Sequence, residues 1–162
     1  MEEERFPHGR KTRTPNSRWE EMKPVYTLRG LLRGSEKRRI IVDDGRFNHA
    51  MRVTDFVVFP VSVSGGNDIQ CTLGLNKDFQ SIWDASDSAT FGWASWWSDS
   101  NAKHDWKYLD PDHLVVRSLY IRNSSASNAE ANYVIKLEPV EISDDEAILQ
   151  LIKENQQGDP ID

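Results

Sequence analysis

The chain has 162 residues, 38% hydrophobic and 28% charged, with a formal net charge of −6. That is enough chain for one enclosed core and too apolar for a disordered polymer, and no run of about 18 apolar residues is present to cross a bilayer as a helix. The opening MEEERFPHGRKTRT lacks the apolar centre of a secretory signal, and the single cysteine, Cys71, can neither close an internal disulfide nor build a thiolate metal site, so packing must hold the fold.

Charge is unevenly spread. Residues 1–39 carry eleven Lys/Arg against six acids, whereas residues 40–162 carry nine against twenty, which predicts a basic arm on an acidic body. Pro7, Gly9, Pro15 and Pro24 argue against a helix, so residues 1–24 read as an extended arm. Its Arg10, Lys11, Arg13 and Arg18 are candidate contacts, suited either to nucleic acid or to the acidic body of a neighbouring copy.

Strand signals follow over residues 25–32 and 38–42, the second closed by Asp43-Asp44-Gly45. Residues 51–63 alternate Val53, Asp55 and Val57 with Thr54, Phe56 and Val58. Apolar residues on both faces place this strand deep in a sheet, with Pro60 marking an edge or a bend. The turn-forming Ser64-Gly65-Gly66-Asn67-Asp68 and the return over residues 69–75 predict a hairpin.

Five of the six tryptophans fall between residues 83 and 106. A strand over residues 90–97 would put Phe91, Trp93 and Ser95 on one face and Ala94 and Trp96 on the other. Trp96 and Trp97 then point to opposite sides, one to the core and the other outward; for Trp97 core packing, a subunit interface and a glycan contact all stay open. Residues 114–122 and 131–142 alternate as long strands, and the Ser- and Asn-rich residues 123–132 suit a hairpin tip.

Residues 143–157 read as a helix: Ser143 and Glu146 form a capping box, and Ile148, Leu151 and Ile152 form an apolar stripe that packs on the chain's own sandwich or on a neighbouring subunit. Residues 158–162 form a tail. Seven or eight strands with one terminal helix predict an all-β, single-domain antiparallel β-sandwich over residues 25–142, jelly-roll-like in topology.

No glycine-rich phosphate loop, nucleophile elbow, HExxH or CxxC occurs in the sequence, so no enzyme and no cofactor is expected. His8, His49, His104 and His113 lack metal-ligand spacing. The acidic pairs Asp43/Asp44, Asp84/Asp87 and Asp110/Asp112 have the oxygens for calcium but not the EF-hand spacing, and Asp also nucleates turns.

The stretches MRVTDFVVFPVSV, TLGLNKDF, FGWAS, DPDHLVVRSLYIRN and NYVIKLEPVEISDDEAILQLIKENQQ resemble small proteins common in genomes of uncultured marine bacteriophages, from about residue 25 to the end of the chain. The resemblance implies a virion component, a capsid or capsid-decorating protein, made in the host cytoplasm and partnered by its own copies and other virion proteins. It carries over no catalytic or binding residue, and the short basic arm departs from the long arginine-rich arms that package genomes in many small viruses. The tryptophans on a sandwich give a different expectation, a carbohydrate-binding module or tail-borne lectin. Neither reading involves a membrane.

Overall fold

The computed structural model describes residues 24–62, 68–76, 83–99 and 102–156. The predicted arm residues 1–23, Arg10, Lys11, Arg13 and Arg18 among them, lie outside the described residues, as do most of the predicted turn at 64–68 and residues 157–162.

Among the described residues the period-two patterns become eight strands, β1 (Tyr26–Leu32), β2 (Lys37–Ile41), β3 (His49–Pro60), β4 (Ile69–Gly74), β5 (Thr90–Ser98), β6 (Lys103–Leu109), β7 (Ser118–Asn123) and β8 (Ala131–Glu141), followed by one α-helix, α1 (Asp144–Gln156). They pair antiparallel in two sheets, ordered β1-β8-β3 and β2-β7-β4-β5-β6. The unbroken alternation of Ala131, Tyr133, Ile135 and Leu137 suits β8 to the middle of its sheet, with β1 on one side and β3 on the other. Those side chains meet Ile69, Cys71 and Leu73 of β4 and Leu119 and Ile121 of β7 in one core between the sheets. Each fully buried aliphatic side chain there contributes about 1.5–3 kcal/mol.

Two bulges decide what reaches that core. The β3–β8 register slips between Val53 and Asp55, so Thr54 is an extra, exposed residue. Val53, Phe56 and Val58 therefore all face inward, which strict alternation forbids. The strand expected deep in a sheet is instead an edge strand: its surplus apolar residues reflect the bulge, not cover on both faces. The β4–β5 register slips between Leu73 and Gly74, leaving Phe91 as the extra residue and turning it into the core, away from the face shared by Trp93 and Ser95. Beside it, a Cβ on Gly92 would come within 2.9 Å of Leu109 and 3.2 Å of Leu73, so glycine lets three strands close at this point.

Two predicted hairpins do not form. β3 and β4 belong to different sheets, and so do β7 and β8, so both connections cross between sheets. The second crossing is held by buried Asn123, whose amide donates to the carbonyls of Arg33 (3.0 Å) and Ala129 (2.8 Å) while its oxygen accepts from the Ser125 N–H (3.0 Å). A side chain that ties three backbone segments together does the work a tight turn would otherwise do. β6 carries no strand signal that the pattern above picks out, and β7 begins at Ser118, later than the alternation from residue 114 predicts.

β3 and β6, an edge strand from each sheet, meet through an ion pair: Asp55 accepts from Lys107 Nζ at 2.5 Å, with Lys136 Nζ at 3.7 Å. The Lys107 hydrogen bond, opposed in part by burial, holds the Asp55 carboxyl below the usual carboxylate range. At the far end the capping box forms as the sequence predicts. Ser143 Oγ accepts from the Glu146 N–H at 3.2 Å, and Glu146 accepts from the Ser143 N–H at 3.0 Å.

Cys71 is fully buried between the sheets, and burial pushes its thiol up to about 12. Thiolate chemistry is thereby suppressed. The folded chain should leave a disulfide-exchange reagent such as DTNB unreacted at pH 8, and one thiol should titrate promptly once denaturant is added. Fast labelling of the native chain would show that the core opens at β4.

Candidate functional site

Antiparallel pairing of β5 with β6 sets Trp93 opposite Tyr108, Ser95 opposite Trp106 and Trp97 opposite His104, all on the outer face of the five-stranded sheet. Trp93 and Tyr108 sit with ring centroids 6.1 Å apart, and Trp97 stacks on His104 at 3.8 Å and 15°. The segment before β5 folds over this face and brings Trp83 to 5.5 Å from Trp106. That segment is shaped by its acids. Asp84 Oδ1 accepts from the Ser86 N–H (2.9 Å) and hydroxyl (2.7 Å), and Asp87 accepts from the Ala89 N–H (3.0 Å) and Thr90 Oγ1 (2.8 Å). The result is an open groove of about 640 Å³ lined by Trp83, Trp93, Trp106 and Tyr108 together with Asp87 and Asp110. A second trough of about 280 Å³ lies on the other side of Trp83, bordered by Asp68, Gln70 and Trp97.

Trp96 turns inward and packs against the core, while Trp97 is exposed. Trp83, Trp106 and Tyr108, which complete the aromatic face, were not singled out as site residues from the sequence. The alternation of His104, Trp106 and Tyr108 in KHDWKYL was the available signal.

The helix divides its stripe. Ala147 is fully buried and Leu151 packs beside it against Ala50, Val116 and Ile142. Polar side chains add to the attachment: Gln150 donates to the Leu114 carbonyl at 2.5 Å, and Glu154 accepts from the Val116 N–H at 2.8 Å. Burial pushes the Glu154 carboxyl above its usual value, against the two backbone N–H groups that favour its charge. Ile148, Leu149 and Ile152 remain 48%, 59% and 41% exposed, on the opposite side of the helix.

The acidic pairs are occupied with turn formation. Asp43 and Asp44 accept from the Gly45 and Arg46 N–H groups, and Asp110 accepts from the Asp112 N–H. Among the described residues no group of three His, Cys, Asp or Glu is placed to hold a metal ion, and no helix is long and apolar enough to cross a membrane.

His113 pins the connection from β6 to β7 onto β3. Its ring stacks on Phe91 at 4.0 Å, Nδ1 contacts the Asp110 carbonyl, and Nε2 accepts from the Val53 N–H at 3.2 Å. These partners require the neutral ring protonated on Nδ1.

Fold and surface together define an antiparallel β-sandwich with an aromatic outer face and a partly covered terminal helix. Comparison with known protein families, with curated proteins and with solved structures finds no match to this chain.

Burial, the largest influence, lowers the His113 pKa from its usual value, with Arg52 acting the same way and Asp110 opposing. The unfolded chain therefore takes up this proton before the folded one, and stability falls as pH drops below about 6.5. Thermal melts between pH 7.5 and 5 should show this loss, and His113→Gln should flatten the slope while lowering the melting temperature at pH 7.5. An unchanged slope would mean that His113 does not control this acid limb.

Proposed function

We propose that this chain is a structural subunit of a bacteriophage virion, a capsid or capsid-decorating protein with a jelly-roll fold, acting through contacts with its own copies and with other virion proteins. The strand order supports the fold assignment. A jelly roll wraps a long antiparallel ribbon so that first pairs with eighth, second with seventh, third with sixth and fourth with fifth. Here β1 pairs β8, β2 pairs β7 and β4 pairs β5. The remaining pair is opened: β6 stays with β5 and meets β3 through the Lys107–Asp55 ion pair.

Because one fold serves many functions, the assembly reading rests on a surface. The observation that carries it is the outward side of α1. The helix is fixed by Ala147, Gln150, Leu151 and Glu154, yet it presents Ile148, Leu149 and Ile152 to solvent. A solvated helix face of three large aliphatics costs solubility unless another subunit covers it. The charge asymmetry between residues 1–39 and 40–162 adds a second route of contact between copies, and Arg10, Lys11, Arg13 and Arg18 are suited to nucleic acid as well. The resemblance to phage-encoded proteins supplies the particle.

Light scattering of the full chain over a concentration series, with and without the other virion proteins, tests this. The wild type should form higher-mass species or bind the shell. Ile148→Glu with Ile152→Glu should abolish that association and keep the wild-type melting temperature, because neither side chain supports the sandwich. Leu151→Ala should instead cost about 1–3 kcal/mol of stability, the lower part of the range for truncation of a buried leucine, since Leu151 is only partly covered. A monomeric wild type that binds no shell overturns the proposal.

A further inference from the structure

We infer that the aromatic groove on the outer face of β5 and β6 is a binding site for an uncharged oligosaccharide. The inference does not rest on the virion reading.

Burial gives the first argument. Trp106 and Tyr108 are each 53% exposed although they lie two residues apart on one strand face, and neither belongs to either core cluster. Two large aromatics left half in water at adjacent sites, with Trp83 held beside them by an ordered turn, are not packing residues of this sandwich. Volume gives the second. About 640 Å³ lies within the range of ligand sites, roughly 300–1,000 Å³.

Chemistry selects the ligand class. A pyranose ring has an apolar face of axial C–H groups, which the negative face of an indole or phenol ring attracts, and an edge of hydroxyl donors. The groove offers both complements in its lining: the aromatic rings and the carboxylates of Asp87 and Asp110. The Asp110 carboxylate takes one turn hydrogen bond, from the Asp112 N–H to Oδ1, and a carboxylate has two acceptor oxygens. None of the described residues lining it is Lys or Arg, so among the described residues a phosphate, a sulfated glycan or nucleic acid finds no counter-charge there and meets two anions instead. Length follows from the second trough. Trp83 borders both troughs and Trp97 borders the far one, so the aromatic residues extend along the sheet face beyond the reach of a single sugar.

The test titrates the full chain with cellohexaose, maltohexaose, laminarihexaose, mannohexaose and N-acetylchitohexaose, followed by tryptophan fluorescence and calorimetry. At least one should bind saturably. Trp106→Ala and Tyr108→Ala should each weaken that binding by about tenfold or more at an unchanged melting temperature. Trp97→Ala should weaken the hexasaccharide more than the matching disaccharide. The inference is overturned if no hexasaccharide binds, if binding survives both Trp106→Ala and Tyr108→Ala, or if a heparin hexasaccharide binds more tightly than every neutral one. It is also overturned if Trp106→Ala alters only the mass seen by light scattering, which would make the face a protein contact.

Discussion

A strand can serve two faces only by strict alternation, and in this chain one extra residue in each of two strands sets what the faces become. The slip at Phe91 sends a phenyl ring into the core and leaves Trp93 outside, although the two residues differ by an even number and would otherwise share a side. Gly92 makes room for the slip, and Phe91 in turn supports the His113 ring that ties β3 to the β6–β7 connection. The aromatic groove, the packed interior and the pinned connection thus share one local irregularity. The slip at Thr54 does the same for the other sheet by giving Phe56 and Val58 to the core and leaving Asp55 at the edge to meet Lys107.

Much of this architecture was legible in the sequence because much of it is local. The positions of β1, β2, β4, β5 and β8 follow from alternation and turn residues, and the capping box marks the start of α1 to the residue. Pairing was less legible. A glycine-rich turn between two apolar runs signals a hairpin wherever both runs enter one sheet, but here the surrounding core places β3 and β4 on opposite sides of it. Bulges are likewise invisible to a period-two reading, which puts Phe91 on the face of Trp93. The aromatic site was half legible: tryptophan density drew attention to the segment, whereas the ring partners of Trp106 and Tyr108 depended on β6, whose charged residues at 103, 105 and 107 obscured a strand.

The two proposed surfaces obey different physics. The helix face is dominated by the exposed aliphatic side chains of Ile148, Leu149 and Ile152, so contact there is governed mainly by area removed from water. The groove mixes rings with carboxylates, so a ligand there would be selected by hydroxyl geometry and charge as well as by area. They lie on different elements, α1 and the β5–β6 pair, so one can be altered without touching the residues of the other.

The placement of β8 bears on how the chain is made. It is the middle strand of its sheet, and both β1 and β3 take their ladder partners from it, with Tyr26 facing Leu137 across more than a hundred residues of chain. A ribosome delivers β1 and β3 long before β8, so the early strands must wait with their backbone groups in water and their apolar sides uncovered. Vectorial synthesis therefore yields no partial three-stranded sheet. That sheet closes only once β8 has been made, and a chain cut short before residue 131 leaves β1 and β3 with no shared neighbour.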